Sequence, residues 1–140
     1  MDRLDYEIMA LLQKDGRRSF TEIGKEVGFS EGTIRKRVMR LVEEGVLRII
    51  GLVDPHQVGF DAPAIIQVSV SPPHLEKAAQ AIAHFPEVSY LLMVSGEFDL
   101  IVEVRCQNRE HLASFISDNV QQVTGVQRTV SSLVMQAYKL

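Results

Sequence analysis

The amino-acid sequence predicts an α+β fold in two parts, and three observations predict it. Apolar side chains recur at helical spacing as far as Gly45, which is typical of packed amphipathic helices. From Asp61 onward, runs with strand-like alternation are separated by further helical stripes. Charge divides in the same way, since residues 1–50 carry ten basic and nine acidic side chains, whereas residues 51–140 carry five and nine. We therefore predict a helical domain over 1–50, a linker strand over 51–60 and a second domain over 61–140.

The first two helices are predicted from their caps and their apolar stripes. Asp2 is placed to cap the first helix, whose stripe follows an i, i+4, i+7, i+8 spacing. The members of this stripe are Leu4, Ile8, Leu11 and Leu12. Residues 19–22 read Ser-Phe-Thr-Glu, which fits the capping box that begins many helices.

A third helix follows after a tight turn. Gly28 supplies the turn, Ser30 is the predicted N-cap and Gly45 ends the helix. Its predicted inward stripe consists of Ile34, Val38, Leu41 and Val42. Three helices with a tight turn between the last two indicate a helix-turn-helix unit. The β-rich segment 46–53 predicts a strand, either a wing that makes the unit a winged one or a linking strand.

The second part has the predicted order strand, helix, strand, strand, helix, strand. Residues 66–70 alternate as a half-buried strand, a hairpin is centred on Gly96 and Glu97, and residues 126–137 form the last strand. This order predicts a ferredoxin-like βαββαβ sandwich with its helices on one sheet face. Because the strands carry apolar side chains on both sides, we expect the other face to bring copies of the chain together.

The basic side chains of the third helix are candidates for DNA contact. Arg35, Lys36, Arg37 and Arg40 fall within six positions with no acid between them. A local patch of this kind can bind a polyanion although the whole chain has a net charge of -3. The residues predicted to contact bases or phosphates are Ser30, Glu31, Thr33, Lys36, Arg37 and Arg40. A solvated, exposed helix face is the alternative that the pattern leaves open.

The composition of the chain argues against several other classes of protein. The chain has 140 residues, 46% apolar and 24% charged, as in ordinary globular proteins. No apolar stretch approaches the roughly 20 residues of a membrane span, and the N-terminus lacks a signal-peptide pattern. The single cysteine, Cys106, has no partner for a disulfide or a zinc site. We expect a cytoplasmic protein without a metal or a resident cofactor.

Several short motifs together resemble the Lrp/AsnC family of feast/famine transcriptional regulators. They are LDYEI at 4–8, LQKDGR at 12–17, VGFS at 27–30, RVxxLxxxGV at 37–46 and VSGEFD at 94–99. The resemblance implies a DNA-binding regulator whose second domain binds a small effector, usually an amino acid, and forms homodimers that assemble into octamers or open arrays. It also implies an effector site at Ser95, Gly96, Asp99, Thr129 and Ser131.

Two other functions are alternatives to that of a local regulator. Tetrapyrrole decarboxylases look similar in layout, but their chemistry needs clustered imidazole and basic groups, and the histidines here are scattered. No nucleophile elbow or phosphate loop occurs either, so no enzyme activity is expected. An architectural protein that compacts DNA is the third possibility.

Overall fold

The computed structural model describes residues 1–139, and the chain divides into two units, Met1–Leu52 and Val53–Leu140. Each unit has a hydrophobic core of its own. The first unit is helical and the second contains a four-stranded antiparallel sheet, which confirms the predicted α+β fold. None of the helices within residues 1–139 combines the length and the apolar character that crossing a bilayer requires.

The helical unit contains α1 (Arg3–Lys14), α2 (Phe20–Val27) and α3 (Glu31–Glu43). All three predicted N-caps are confirmed, because the side chains of Asp2, Ser19 and Ser30 each accept a hydrogen bond from a backbone amide three residues later. The fully or nearly buried side chains of this unit are Leu4, Ile8, Leu11, Leu12, Ile23, Ile34, Val38, Leu41 and Leu47.

Two glycines fix the tight turn between α2 and α3. Gly28 has a φ of 79°, a conformation that side chains with a Cβ rarely adopt. Gly24 lies inside α2, and a Cβ there would come within 2.5 Å of the carbonyl oxygen of Phe29. The close approach of the helix to the turn therefore requires glycine, and together these contacts confirm the predicted helix-turn-helix geometry.

The inward stripe of α3 is shorter than predicted. Ile34, Val38 and Leu41 are buried, whereas Val42 is 47% exposed. The prediction was wrong at Val42 because this residue lies about 80° around the helix from Ile34, at the edge of the stripe.

The predicted wing and linker strand are wrong. Residues 46–53 form no strand, and residues 51–60 contain a short 3₁₀ helix at Pro55–Val58 instead. A strand is stabilised by pairing with a neighbouring strand, and within residues 1–139 no strand pairs with this segment. Apart from Leu47, which is buried in the helical core, its apolar side chains are exposed, Ile50 to 63% and Leu52 to 60%.

The second unit follows the predicted order of elements. Its elements are β1 (Ala62–Val70), α4 (Leu75–Ala83), β2 (Val88–Met93), β3 (Leu100–Cys106), α5 (Arg109–Asp118) and β4 (Val126–Leu133). The sheet order is β2-β3-β1-β4, and every pair is antiparallel. β4 ends at Leu133 rather than at 137, because Val134 already donates to Pro63 near the start of β1 and little of that strand remains to pair with.

The two sheet faces differ in burial. Every second residue of β1 and β3 is buried against α4 and α5. The strands present another set of apolar side chains on the opposite face, where Tyr90 is 56% exposed and Leu92 is 42% exposed. The alternation that predicted an apolar second face is thus present in the folded chain.

Candidate functional site

The exposed side of α3 begins at its capped first turn. The Ser30 hydroxyl accepts from the backbone amide of Thr33 at 3.2 Å and lies 2.9 Å from the Thr33 hydroxyl. Ser30 and Thr33, two of the residues predicted to contact DNA, therefore stabilise the start of the helix. Their hydroxyls stay at the surface of the turn that leads into the helix.

Glu31 joins α2 to α3. Its carboxylate accepts from the Thr21 hydroxyl at 3.0 Å and from the Arg35 guanidinium at 2.5 Å. The hydrogen bond from Arg35 contributes most, and that from Thr21 next, to lowering the pKa of Glu31. Glu31 therefore remains ionised and faces a groove of about 300 Å³ between the two helices.

Arg35 is not among the residues predicted to contact DNA, although it belongs to the same surface. Its side chain is exposed, and its guanidinium lies 5.3 Å from the centre of the Phe20 ring. Stacking of this kind holds a cation in place without hiding it from solvent. The basic run at 35–37 includes Arg35, but this residue lies about 100° around the helix from the inward Ile34, so helical periodicity alone does not place it opposite the inward stripe.

Lys36 differs from the arginines around it. It is exposed, and among residues 1–139 no carboxylate lies within ion-pair distance of its ammonium group. An unpaired surface cation is available to a phosphate without breaking an existing contact.

Arg37 and Arg40 lie instead in an ion cluster with the first turn of α1. Arg37 donates to Asp2 at 2.6 Å and to Asp5 at 3.0 Å, and Arg40 donates to Asp5 at 2.6 Å. Asp5 is completely buried. Burial is the largest single influence on the pKa of Asp5 and raises it, but the Asp2 amide and the two guanidinium groups together outweigh burial and hold that pKa at about 2.

This cluster adds acids from elsewhere in the chain to a stretch that has none of its own between residues 35 and 40. Arg37 and Arg40 were predicted to contact bases or phosphates, and in the folded chain the carboxylates of Asp2 and Asp5 pair with both. The partners lie more than 30 positions away along the chain, so a charge count over neighbouring residues could not find them.

The loop between β2 and β3 contains three of the residues predicted to bind an effector. Ser95 and Gly96 form its exposed tip, and Gly96 has a φ of 146°. Asp99 fastens the base of the loop to β1, because its carboxylate accepts from the Val70 amide at 2.8 Å while its own amide donates to Val68 at 3.0 Å. One carboxylate oxygen of Asp99 is thus used within the fold.

Arg128 on β4 also holds this loop, which sequence reasoning did not anticipate. Its guanidinium lies 4.5 Å from the centre of the Phe98 ring and donates to Glu97 at 2.6 Å. No local pattern links these residues, because β4 comes next to the loop only through its pairing with β1.

Thr129 and Ser131 lie on β4, on the side of the sheet that faces α5. Thr129 accepts from the Gln121 side chain at 2.9 Å, and Ser131 lines an open groove of about 510 Å³ beside Leu112 and Ile116. Thr129 is level with Val68, which also pairs with Leu100, whereas Ser131 is opposite Ile66. Ser131 therefore lies about 7 Å further from the loop along the sheet than Thr129 does.

Comparisons with known protein families match nearly the whole chain. The model described as the AsnC-type helix-turn-helix domain matches residues 1–42. The model described as the Lrp/AsnC ligand binding domain matches residues 63–140.

Relatives and solved structures agree with these matches. An HTH-type transcriptional regulator of Pyrococcus horikoshii is 34% identical over 99% of this chain and 89% of its own length. Another, from Methanocaldococcus jannaschii, is 31% identical over 99% of this chain and 95% of its own length. A Neisseria meningitidis regulator, solved as a complex with L-Met, has a TM-score of 0.83 and 26% identity over 100% of this chain and 93% of its own. AsnC of E. coli shares the fold, with a TM-score of 0.80 and 24% identity over 100% of this chain and 95% of its own.

Proposed function

The chain belongs to the Lrp/AsnC family of DNA-binding transcriptional regulators, and we propose that α3 contacts operator DNA and that the loop 94–99 takes an amino-acid effector. The matched relatives are named regulators and not enzymes, which is evidence against the decarboxylase alternative. We also propose the cytoplasm as its location, because its partner is double-stranded DNA.

The observation that supports α3 as the DNA-contacting helix is the exposed, unpaired Lys36 on its outward side. In helix-turn-helix docking, the N-terminal half of the recognition helix meets base edges in the major groove. Lys36 lies beside Arg35 on the surface that remains after the inward stripe is buried. Ser30, Glu31 and Thr33 flank the same end of the helix.

Salt dependence of binding tests this assignment. Replacing Lys36→Ala should weaken DNA binding and flatten the plot of log affinity against log salt concentration by about 0.9, the contribution of one phosphate contact. Arg40→Ala should have a smaller effect, because Asp5 already holds that guanidinium. Lys77→Ala, an exposed lysine of the second unit, is the matched control. An unchanged slope in the Lys36 variant removes this residue from the interface.

Footprinting separates a local regulator from an architectural protein. Protection at a few promoters, with half-sites about one helical turn or a multiple of it apart, is expected for a regulator that binds as a dimer. Uniform protection along the DNA instead supports the compacting role.

The effector proposal is supported by the exposed tip of the loop and by its fixed base. Backbone amides at Ser95 and Gly96 can donate to a carboxylate, and the oxygen of Asp99 that Val70 does not use can accept from an ammonium group. The complex of the Neisseria regulator with L-Met shows that a relative binds an amino acid. Thr129 and Ser131 join the proposed site from β4.

Native mass spectrometry across the twenty amino acids tests the effector proposal. An effector that binds one assembly more tightly than another must shift the distribution of masses. Asp99→Asn should abolish that shift if the negative charge accepts the ammonium. If no amino acid changes the mass distribution or the affinity for DNA, the DNA-binding function stands and the effector proposal fails.

Self-association is proposed through the sheet face that α4 and α5 do not cover. Tyr90 and Leu92 on β2 and Val130 on β4 leave apolar area on this face, and a second copy of the chain would remove that area from water. We expect homodimers that assemble to octamers or larger arrays. Sedimentation of a monomer at micromolar concentration would contradict this proposal, whereas Val130→Lys should shift a dimer toward monomer.

A further inference from the structure

Most of the positive charge on α3 is neutralised within the helical unit itself. Arg35 pairs with Glu31, Arg37 pairs with Asp2 and Asp5, and Arg40 pairs with Asp5. The cluster of Asp2, Asp5, Arg37 and Arg40 has two negative and two positive charges, so its formal charge is zero. A helix with four basic residues therefore presents less attraction to phosphate than its sequence indicates.

The two acids of this cluster differ in what else they do. Asp5 is buried and bonded to both guanidinium groups, so the packing of α1 against α3 depends on it. The Asp2 side chain is 54% exposed, and Arg37 is the one guanidinium with which it pairs among residues 1–139. Neutralising Asp2 therefore removes a negative charge beside Arg37 without opening the core.

We propose that Asp2 withholds Arg37 from the DNA backbone, and that the Asp2 carboxylate thereby limits the strength of sequence-independent DNA binding. This inference rests on the proposed role of α3 as the DNA-contacting helix. Arg37 adjoins Lys36 on α3, and 29% of its side chain is exposed. To contact a phosphate, its guanidinium has to leave the Asp2 carboxylate at 2.6 Å and the longer contact with Asp5 at 3.0 Å, of which the Asp2 contact is the shorter and more exposed.

The masking charge is present at physiological pH. The hydrogen bond from Arg37 contributes most to lowering the pKa of Asp2 below its usual 3.8. Asp2 therefore carries its full negative charge near neutrality. The substitution Asp2→Asn removes that charge and keeps a side-chain oxygen that can cap α1, because asparagine is as good an N-cap as aspartate.

The experiment compares the wild type with Asp2→Asn on a short duplex of mixed sequence, by fluorescence anisotropy between about 50 and 200 mM salt. We expect Asp2→Asn to bind about three- to tenfold more tightly at the lower salt concentrations and to steepen the salt slope by about 0.9, which corresponds to one added phosphate contact. Asp15→Asn is the matched control, since it makes the same charge change at the other end of α1 and keeps the oxygen that accepts from the Arg17 amide.

A double-mutant cycle assigns the gain to Arg37. In the background of Arg37→Gln, the substitution Asp2→Asn should no longer improve binding, because the guanidinium that it releases is absent. The inference is overturned if Asp2→Asn binds no better than Asp15→Asn, or if its gain persists in the Arg37→Gln background. Hydrogen exchange in α1 establishes that each variant keeps the helix folded.

The variant Lys36→Ala separates this inference from the proposal on which it rests. If Lys36→Ala leaves binding unchanged, Lys36 lies outside the interface, and the observation that supports α3 as the DNA-contacting helix is lost. If Lys36→Ala weakens binding but Asp2→Asn has no effect beyond its control, the interface stands and the masking by Asp2 fails.

Discussion

The charged residues of α3 and the loop 94–99 were both singled out from the sequence, but folding treats them differently. In α3, Arg37 and Arg40 are occupied by acids from α1. In the loop, Ser95 and Gly96 remain at an exposed tip, and Asp99 is tied to the neighbouring strand through a backbone amide.

The difference shows which features a local pattern can predict. A turn is specified by residues next to one another, since Gly96 and its neighbours determine the backbone there. The charge that a helix presents depends on every side chain that packs beside it, including residues far away in sequence. A run of basic residues therefore predicts a positively charged surface only when the acidic side chains that pack beside it are known.

Removing the buried carboxylate is the strongest way to test the ion cluster. Asp5→Ala should lower the free energy of unfolding of the helical unit by about 3 kcal/mol, because two guanidinium groups lose their buried partner. Hydrogen exchange measured peptide by peptide will report the loss in α1 and α3. Glu7→Gln, which breaks the exposed pair with Arg3, should cost less than about 0.5 kcal/mol. Equal effects would show that the buried cluster contributes no more than a surface pair.

Acidification should destabilise the helical unit by a smaller amount. The pKa of Asp5 is about 2 in the folded protein against an ordinary 3.8, so the unfolded chain takes up the proton first as the pH falls. The stabilisation is complete above about pH 4 and is lost progressively toward pH 2. Lowered pKa values at Asp2, Glu22 and Glu31 act in the same direction. Unfolding followed by circular dichroism should show this loss, and a flatter profile is expected for Asp5→Ala.

In the loop, the two roles of Asp99 can be separated by paired substitutions. Asp99→Ala leaves the Val70 amide without its acceptor and should cost the second unit about 1.5 kcal/mol. Asp99→Asn keeps an acceptor oxygen and should cost less than about 0.5 kcal/mol, while it removes the charge proposed to accept an ammonium group. Denaturant unfolding measures both costs. A large loss of stability in the asparagine variant would indicate that the fold itself requires the charge.

The smallest effect is expected at Gly32, on the exposed first turn of α3. A Cβ at this position would meet nothing within 4 Å in the folded chain, and its φ lies outside the left-handed region. Gly32→Ala should therefore raise the free energy of unfolding by about 0.5 to 1 kcal/mol, because alanine favours the helix more than glycine does. If DNA approaches this turn closely, the same variant should bind DNA more weakly. Anisotropy and thermal unfolding of one sample measure both, and tighter binding would argue against a close approach.

Local patterns predicted the secondary structure well because its causes are local. Asp2, Ser19 and Ser30 cap the helices as predicted, since a cap bonds to amides only two or three residues away. The failures occur where a segment needs a distant partner. Residues 46–53 have strand-forming side chains but no strand to pair with, and Val42 lies beyond the reach of the core.

The sequence by itself determined the helix-turn-helix, the βαββαβ order and the family, because these depend on spacing, caps and turns along the chain. The tertiary structure alone decided which charges of α3 are free, how Arg128 holds the loop, and where Thr129 and Ser131 lie relative to Asp99. Apart from the Arg35–Glu31 pair within α3, these features arise from contacts between residues more than 25 positions apart, which form only when the helices pack and the strands align.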